Sequence, residues 1–135
     1  MEVRTPIMLR LLIGHYVVAQ FPPSWRPDNA LWSNKGVISL TATPDEWSLI
    51  CTEEAVPVGG LLEHGWRLFE FVGPFAFNET GILSAVLSPL AKARISIMAF
   101  STYNTDYLLV KAKNLAECVQ VFEKTEFIKL KMLPE

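Results

Sequence analysis

The most regular hydrophobic pattern lies in the second half of the chain. Apolar side chains of residues 79–93 recur at the i, i+3, i+4, i+7 spacing of a helix with one buried face: Leu83, Val86, Leu87 and Leu90. A strand over 95–100, a polar turn over 101–106 and a strand over 107–110 follow. Because proline lacks a backbone N–H, we expect Pro89 to kink or restart the helix.

The flanking segments extend this pattern. A strand is predicted over Trp66–Val72, before the turn signal Gly73-Pro74. Asn114 should cap a second helix in a capping-box arrangement with Glu117, and a last strand should cover 126–132. The core side of the second helix is a stripe of four residues: Leu115, Cys118, Val119 and Phe122. The predicted order is βαββαβ, an α+β, ferredoxin-like unit with a four-stranded, mostly antiparallel sheet and both helices on one face.

The first half of the chain has no clear amphipathic helix. It predicts a strand over 7–21 and a hairpin over 37–52, joined by a segment whose prolines exclude a long helix. Only a short turn over 28–33 fits there. We interpret residues 1–62 as a reduced copy of the unit and residues 63–135 as the complete one.

A faint internal repeat supports duplication. Aligned without gaps, Leu40 lies over Phe100, Glu46 over Asp106 and Trp47 over Tyr107, and each copy reads strand, polar turn, strand. The first copy also contains most of the tryptophans. We expect Trp25, Trp32, Trp47 and Trp66 to bury its loops in place of the missing helix.

Composition limits the possible partners. Half of the 135 residues are hydrophobic and 19% are charged, so we expect a second copy to cover part of the apolar surface in a homodimer. The net charge of −2 and the lack of a basic run argue against nucleic acid. The apolar stretch 7–21 is too short to span a bilayer. The two cysteines lie in separate apolar segments and form no CxxC pair, which fits a reducing, cytoplasmic compartment.

Catalytic and metal-binding patterns are missing from the sequence. His15 and His64 have no Cys, Asp or Glu at metal-ligand spacing. No Ser/His/Asp order, paired-carboxylate pattern or Gly-rich phosphate loop occurs. We therefore expect neither an enzyme nor a cofactor.

Several segments resemble a known family. Gly81-Ile82, Ile95-Ser96-Ile97 and the run from Ser101 to Val110 resemble ACT domains of small bacterial tandem-ACT proteins, as does the segment from Thr43 to Glu54. The pattern is also similar to that of the CASTOR arginine sensors, which carry four such domains. The resemblance implies a non-catalytic module that binds an amino acid at an interface between two domains.

The resemblance also implies a set of ligand-binding residues. Around the helix start they are Glu79, Thr80, Gly81 and Ile82, and around the turn they are Thr102, Tyr103 and Asp106. It places Ser96 and Ile97 on the facing strand of a partner domain. Because this chain has two units instead of four, a complete set of sites would need two chains.

The residues alone leave simpler roles open for the same positions. Asp106 fits an Asx-type turn bond, and Glu79 is favourable in a first helical turn without any ligand. Gly81, one turn into the predicted helix, indicates close approach of a ligand or a packed strand. With a ligand, the carboxylates of Asp106 and Glu79 would meet an ammonium group, which favours a basic or neutral amino acid. The alternative is a purely structural dimerisation module.

Overall fold

The structure, a computed structural model, describes residues 6–72 and 81–132. These residues form the following strands and α-helices: β1 (Ile7–Leu11), β2 (Tyr16–Phe21), β3 (Ser39–Ala42), β4 (Trp47–Thr52), β5 (Leu61–Phe71), α1 (Ile82–Lys92), β6 (Ile97–Ser101), β7 (Asp106–Lys111), α2 (Leu115–Glu123) and β8 (Ile128–Met132). The chain divides into two compact units. Unit 1 comprises residues 1–13 and 67–135, and unit 2 comprises residues 14–66.

Unit 1 contains a mixed sheet in the order β6-β7-β5-β1-β8. The element order from β5 to β8 is βαββαβ, as predicted. The expectation of a four-stranded sheet was wrong, because β1 lies between β5 and β8. It runs antiparallel to β5 and parallel to β8, with Leu9 opposite Phe71 on one side and Leu130 on the other. The compact units therefore differ from the sequence boundaries 1–62 and 63–135.

The core of unit 1 lies between one face of this sheet and the two helices. Val86 and Leu90 of α1 and Cys118 and Phe122 of α2 are fully buried, which confirms both predicted helical stripes. The Phe69 ring of β5 meets the Phe122 ring edge-on, with centroids 5.4 Å apart. Every second residue of the strands joins the same cluster, among them Ile7, Leu9, Leu11, Leu108 and Val110. Both helices thus cover the same face of the sheet.

The first helix begins later than the sequence predicted. α1 starts at Ile82, and Gly81 precedes it in a left-handed conformation with φ 79°. The placement of Gly81 inside the helix was therefore wrong; it is a cap residue, where a positive φ favours glycine. The helix continues through Pro89 to Lys92 without a restart. The predicted helical residues 79–81 include Glu79 and Thr80, which lie outside the described residues.

The capping box predicted for the second helix was wrong. Asn114 makes no side-chain capping bond, because it closes a 3₁₀ turn over Ala112–Asn114 and has φ −104° and ψ 4°. A capping side chain needs an extended backbone to reach the first N–H groups of the helix.

Unit 2 contains an antiparallel sheet in the order β3-β4-β2, completed by the first residues of β5. The predicted hairpin over 37–52 is confirmed as β3 and β4. The strand predicted over 7–21 was wrong in extent, because the chain turns after β1 and Gly14 there has φ 98°. The second piece, β2, pairs with β4 along its whole length.

Residues 14–66, all of which the structure describes, contain no α-helix, as predicted. The short turn is a 3₁₀ helix over Asn29–Ser33, capped by the Asp28 carboxylate, which accepts a 3.1 Å hydrogen bond from Ala30 N. Trp25 stacks on Phe21 and packs edge-on against Trp47, which confirms that tryptophans bury the loop. The expectation was wrong for Trp32, which is 52% exposed.

The turns of the two hairpins, β3–β4 and β6–β7, have the same hydrogen-bonding pattern. Thr43 N donates to Glu46 O at 2.9 Å, and Thr102 N donates to Thr105 O at 2.8 Å. In each turn the threonine Oγ1 also accepts a hydrogen bond from the backbone N–H three residues later. This likeness supports the repeat and places Thr43 over Thr102.

The gapless sequence alignment was wrong by one residue. It placed Glu46 over Asp106, whereas the turns place Glu46 over Thr105. Core packing agrees with the turns, since Leu49 and Leu108 then coincide and each belongs to the core cluster of its own unit, whereas Leu109 does not belong to that cluster. A one-residue slip would exchange the two faces of the strand, so the residues packed in each core support the register of the turns.

Candidate functional site

The polar turn between β6 and β7 is compact and exposed at its tip. Thr102 caps it through its backbone N–H and hydroxyl, as threonine does in local side-chain turns. Tyr103, at the tip, is 81% exposed. Thr105 Oγ1 donates to Phe71 O, which fixes the turn at the carboxyl end of β5. From this end of β5 the chain proceeds toward α1.

Asp106 begins β7 beside the turn. It lies opposite Ser101, whose Oγ donates a hydrogen bond to the Asp106 carboxylate. The alternation of β7 places Asp106 on the same face as Leu108 and Val110, the face that carries the helices. Asp106 is half-buried there. The carboxylate is therefore held by a cross-strand partner, and the i+2 Asx bond expected as the simpler role is replaced by this pair.

The start of α1 offers backbone groups. Gly81 is exposed and its carbonyl accepts from Ala85 N at 2.8 Å. The first N–H groups of an α-helix have no acceptor within the helix, so an anion can bind there. Ile82 instead packs its side chain against the core of unit 1. Of this part of the predicted site, Glu79 and Thr80 lie outside the described residues.

The predicted site residues divide into two groups along the β6–β7 hairpin. Thr102, Tyr103 and Asp106 lie together at the turn. Ser96 is exposed before β6, and Ile97 packs on the core opposite Val110, at the other end of the hairpin. The structure therefore does not bring Ser96 and Ile97 to the turn within unit 1.

The opposite face of the sheet carries charged residues that the sequence reasoning missed. Arg10 of β1 lies opposite Glu70 of β5, and its Nε and Nη2 donate to Glu70 Oε1 at 3.0 and 2.6 Å. Tyr107 of β7 donates its hydroxyl to Glu70 Oε2 at 3.1 Å. The side chains of Arg10 and Glu70 are 32% and 21% exposed. The available signal was a charged residue between apolar neighbours in each strand, Arg10 in β1 and Glu70 in β5.

A cavity of about 210 Å³ opens between this charged pair and the turn. Its lining includes Arg10, Glu70, Thr102, Asn104 and Tyr107. The groups that line it are thus a cation, an anion, hydroxyls and an amide. Such a set can hydrogen-bond both an anionic and a cationic group of a small solute.

A carboxylate in unit 2 lies next to a histidine that the sequence had left without a partner. Glu53 Oε2 lies 3.0 Å from His64 Nδ1 and accepts from Gly65 N at 3.1 Å. The hydrogen bond from the Gly65 N–H lowers the pKa of Glu53 below its usual value, and the nearby His64 ring lowers it further. Across residues 6–72 and 81–132, no group of three or more His, Cys, Asp or Glu could hold a metal ion.

Both cysteines are unpaired and fully buried. Burial raises the pKa of Cys51 to about 11 and that of Cys118 to about 12. At neutral pH both are therefore protonated thiols, and Cys118 is a core residue as predicted.

Comparisons with known proteins agree with this architecture. Residues 61–124 match the family model described as the ACT domain. The crystal structure of protein Atu0741 from Agobacterium tumefaciens is 33% identical, has a TM-score of 0.86 and aligns over 98% of this chain and 97% of that one. The chain belongs to the same family as Atu0741. The ACT match covers the turn, Glu70, Gly81 and Asp106 but not β1, which supplies Arg10.

Curated relatives are longer than this chain. The protein named cytosolic arginine sensor for mTORC1 subunit 1 from Bos taurus is 30% identical over 97 residues, which cover 64% of this chain and 30% of that protein. The putative protein CASTOR3P from Homo sapiens is 33% identical over 90 residues, 57% of this chain and 55% of that protein. The matched part of the chain thus spans from under a third to just over half of these relatives.

More distant structures share the fold alone. An aspartate kinase from Clostridium acetobutylicum is 12% identical with a TM-score of 0.64, over 93% of this chain and 36% of that chain. Among the described residues, neither α-helix has the length and hydropathy needed to cross a membrane.

Proposed function

We propose that this protein is a non-catalytic, cytoplasmic regulatory module that binds a basic or neutral amino acid and acts as a homodimer. The observation that carries the proposal is the ACT match over residues 61–124, which contains the turn and the start of α1. Relatives named as arginine sensors support an amino acid as the ligand, and their cytosolic name supports the compartment.

The proposed ligand lies between the start of α1 and the β6–β7 turn. Its carboxylate would meet the backbone N–H groups near Gly81, and its ammonium would meet the carboxylates of Asp106 and Glu79. Thr80, Ile82, Thr102 and Tyr103 would complete this side of the site. The half-burial of Asp106 favours such a contact, because partial desolvation strengthens the attraction between opposite charges.

A facing unit would supply Ser96 and Ile97, which lie at the far end of their own hairpin. We propose that this unit comes from a second copy. Exposed apolar side chains support self-association: Met8 (37%), Met98 (37%), Leu61 (73%) and Leu62 (41%) are among them. The tandem arrangement, with a reduced first copy, is supported by the shared hydrogen bonding of the turns at Thr43 and Thr102.

Thermal unfolding across a panel of amino acids tests the function. A ligand that binds only the folded protein stabilises it by RT ln(1 + [L]/Kd), about 2.7 kcal/mol at 100 times Kd. We expect a basic or neutral amino acid to raise the unfolding midpoint and glutamate to leave it unchanged. A dimer by light scattering with no stabilisation by any amino acid would favour the purely structural dimerisation module. A monomer at micromolar concentration would contradict the shared site.

A further inference from the structure

The cavity beside the turn of unit 1 has a counterpart in unit 2. That counterpart is about 290 Å³ and is lined in part by Gln20, Phe21, Asp45 and Leu61. Each cavity lies where the strand that pairs with the hairpin ends, at Phe71 in unit 1 and at Phe21 in unit 2.

Strand pairing and turn register show that the two cavities are equivalent. Arg10 lies opposite Glu70 in unit 1, and Leu61 lies opposite Gln20 in unit 2. The turn register that places Thr43 over Thr102 also places Asp45 over Asn104. The cavity is therefore a product of the repeated fold.

The charges differ between the two cavities. The Arg10–Glu70 ion pair of unit 1 corresponds to Leu61 and Gln20 in unit 2, where neither side chain is charged. The fold thus accounts for a cavity in both units, but it does not account for the ion pair in one of them. Burying part of an ion pair costs desolvation energy, so a structural role alone gives it little advantage over apolar packing.

The ion pair has capacity to bind a solute without separating. Glu70 accepts two bonds from Arg10 on Oε1 and one from Tyr107 on Oε2. A carboxylate offers about four acceptor positions, and a guanidinium offers five N–H donors. A second carboxylate can therefore bind Arg10 while an ammonium group binds Glu70.

Charge balance selects the class of solute. The adjacent charges of Arg10 and Glu70 sum to zero, so a zwitterion matches both of them. A solute with only one charge would displace water from both Arg10 and Glu70 but would offer an opposite charge to only one of them. The volume of about 210 Å³ is sufficient for a small amino acid.

We propose that the unit 1 cavity binds a small neutral α-amino acid, with its carboxylate on Arg10 and its ammonium on Glu70. This pocket differs from the ligand position proposed above, although Thr102 borders both. It lies on the face of β7 that carries Tyr107, opposite the face of Asp106, and all its residues belong to one unit. It therefore needs no second copy.

Calorimetry with L-serine and two derivatives tests the proposal on the wild-type protein. N-acetyl-L-serine lacks the ammonium charge, and L-serinamide lacks the carboxylate. We expect L-serine to bind and each derivative to bind about tenfold or more weakly, since each leaves one charge of the pair unmatched. Equal binding of either derivative would overturn the zwitterion assignment.

Matched variants locate the binding. The double variant Arg10→Gln/Glu70→Gln removes both charges and keeps a polar side chain at each position. It should bind L-serine about tenfold or more weakly, whereas Leu61→Gln at the equivalent position of unit 2 should bind as the wild type does. Unchanged affinity for L-serine in the double variant would overturn the proposed pocket. Loss of L-serine binding in Asp106→Ala alone would overturn it as well. No heat from L-serine, L-alanine or glycine would also overturn it, while a response to L-arginine would still support the function proposed above.

Discussion

Replacing Asp106 with alanine separates the structural role of its carboxylate from its proposed contact with the ligand. The change removes the hydrogen bond from Ser101, which contributes about 0.5–1.5 kcal/mol to stability. Unit 1 keeps its buried core, so the protein should remain folded with an unfolding midpoint lowered by a few degrees. Loss of one charged partner of a partly desolvated pair costs about 2–5 kcal/mol of binding, or roughly 30- to several-thousand-fold in Kd.

Ser101→Ala is the matched control, because it removes the same hydrogen bond and leaves the carboxylate in place. Calorimetry with L-arginine and L-lysine should show near wild-type affinity in Ser101→Ala and no measurable binding in Asp106→Ala. Thermal unfolding of both variants should show similar losses of stability. If the two variants bind equally well, the Asp106 carboxylate does not contact the ligand and the reasoning is refuted.

Three further predictions concern unit 2 and the thiols. Gly60→Ala should destabilise the protein by about 1–3 kcal/mol in urea unfolding, because a Cβ there would lie 2.7 Å from the Phe21 ring. Glu53→Gln should reduce the loss of stability on acidification, since a carboxylate with a lowered pKa contributes stability above its ordinary value of 4.5 that is lost as pH falls through the folded pKa. Cys51 and Cys118 should react with a thiol reagent at neutral pH only after denaturation, because both are buried and protonated.

Each of these outcomes has a control. Val58→Ala, at a 93% exposed position, should leave the urea midpoint unchanged, and an equal loss there would show that the Gly60 effect is not steric. If Glu53→Gln loses stability on acidification as much as the wild type does, groups other than Glu53 cause that loss. Rapid labelling of the native protein would contradict the burial of the cysteines.

The local elements of the fold were predictable where one periodicity dominated. The stripe from Leu83 to Leu90 gave α1, and the polar run after β6 gave a turn between two strands, because side chains facing the core impose these periods. The short 3₁₀ helix after Asp28 was also predictable, since the prolines before it exclude anything longer.

Long-range pairing was not predictable from these patterns. The apolar run 7–21 does not show that its first part pairs with β8, because periodicity reports burial and not the partner strand. The repeat register was ambiguous for a related reason. Both alignments place polar residues at the turn, and the matching turn hydrogen bonds at Thr43 and Thr102 decide between them.

The candidate site was predictable in its turn and not in its charges. Thr102, Tyr103 and Asp106 stand out as polar residues between apolar strands. Arg10 and Glu70 are far apart in the sequence and become neighbours only through the β1–β5 pairing. A search for charged residues inside apolar strands would have selected both as positions with a structural or binding role.

The parallel pairing of β1 with β8 has a consequence for how the protein is made. Ile7 pairs with Ile128, so the sheet of unit 1 joins the two ends of the described chain, and all of unit 2 lies between β1 and the rest of unit 1 in sequence. Pairings of such long sequence separation slow folding. During synthesis, unit 1 cannot complete its sheet until its last strand has left the ribosome, whereas unit 2 has all its strands much earlier. A fragment that starts at residue 63 would lack β1 and leave the adjoining edges of β5 and β8 without their shared neighbour.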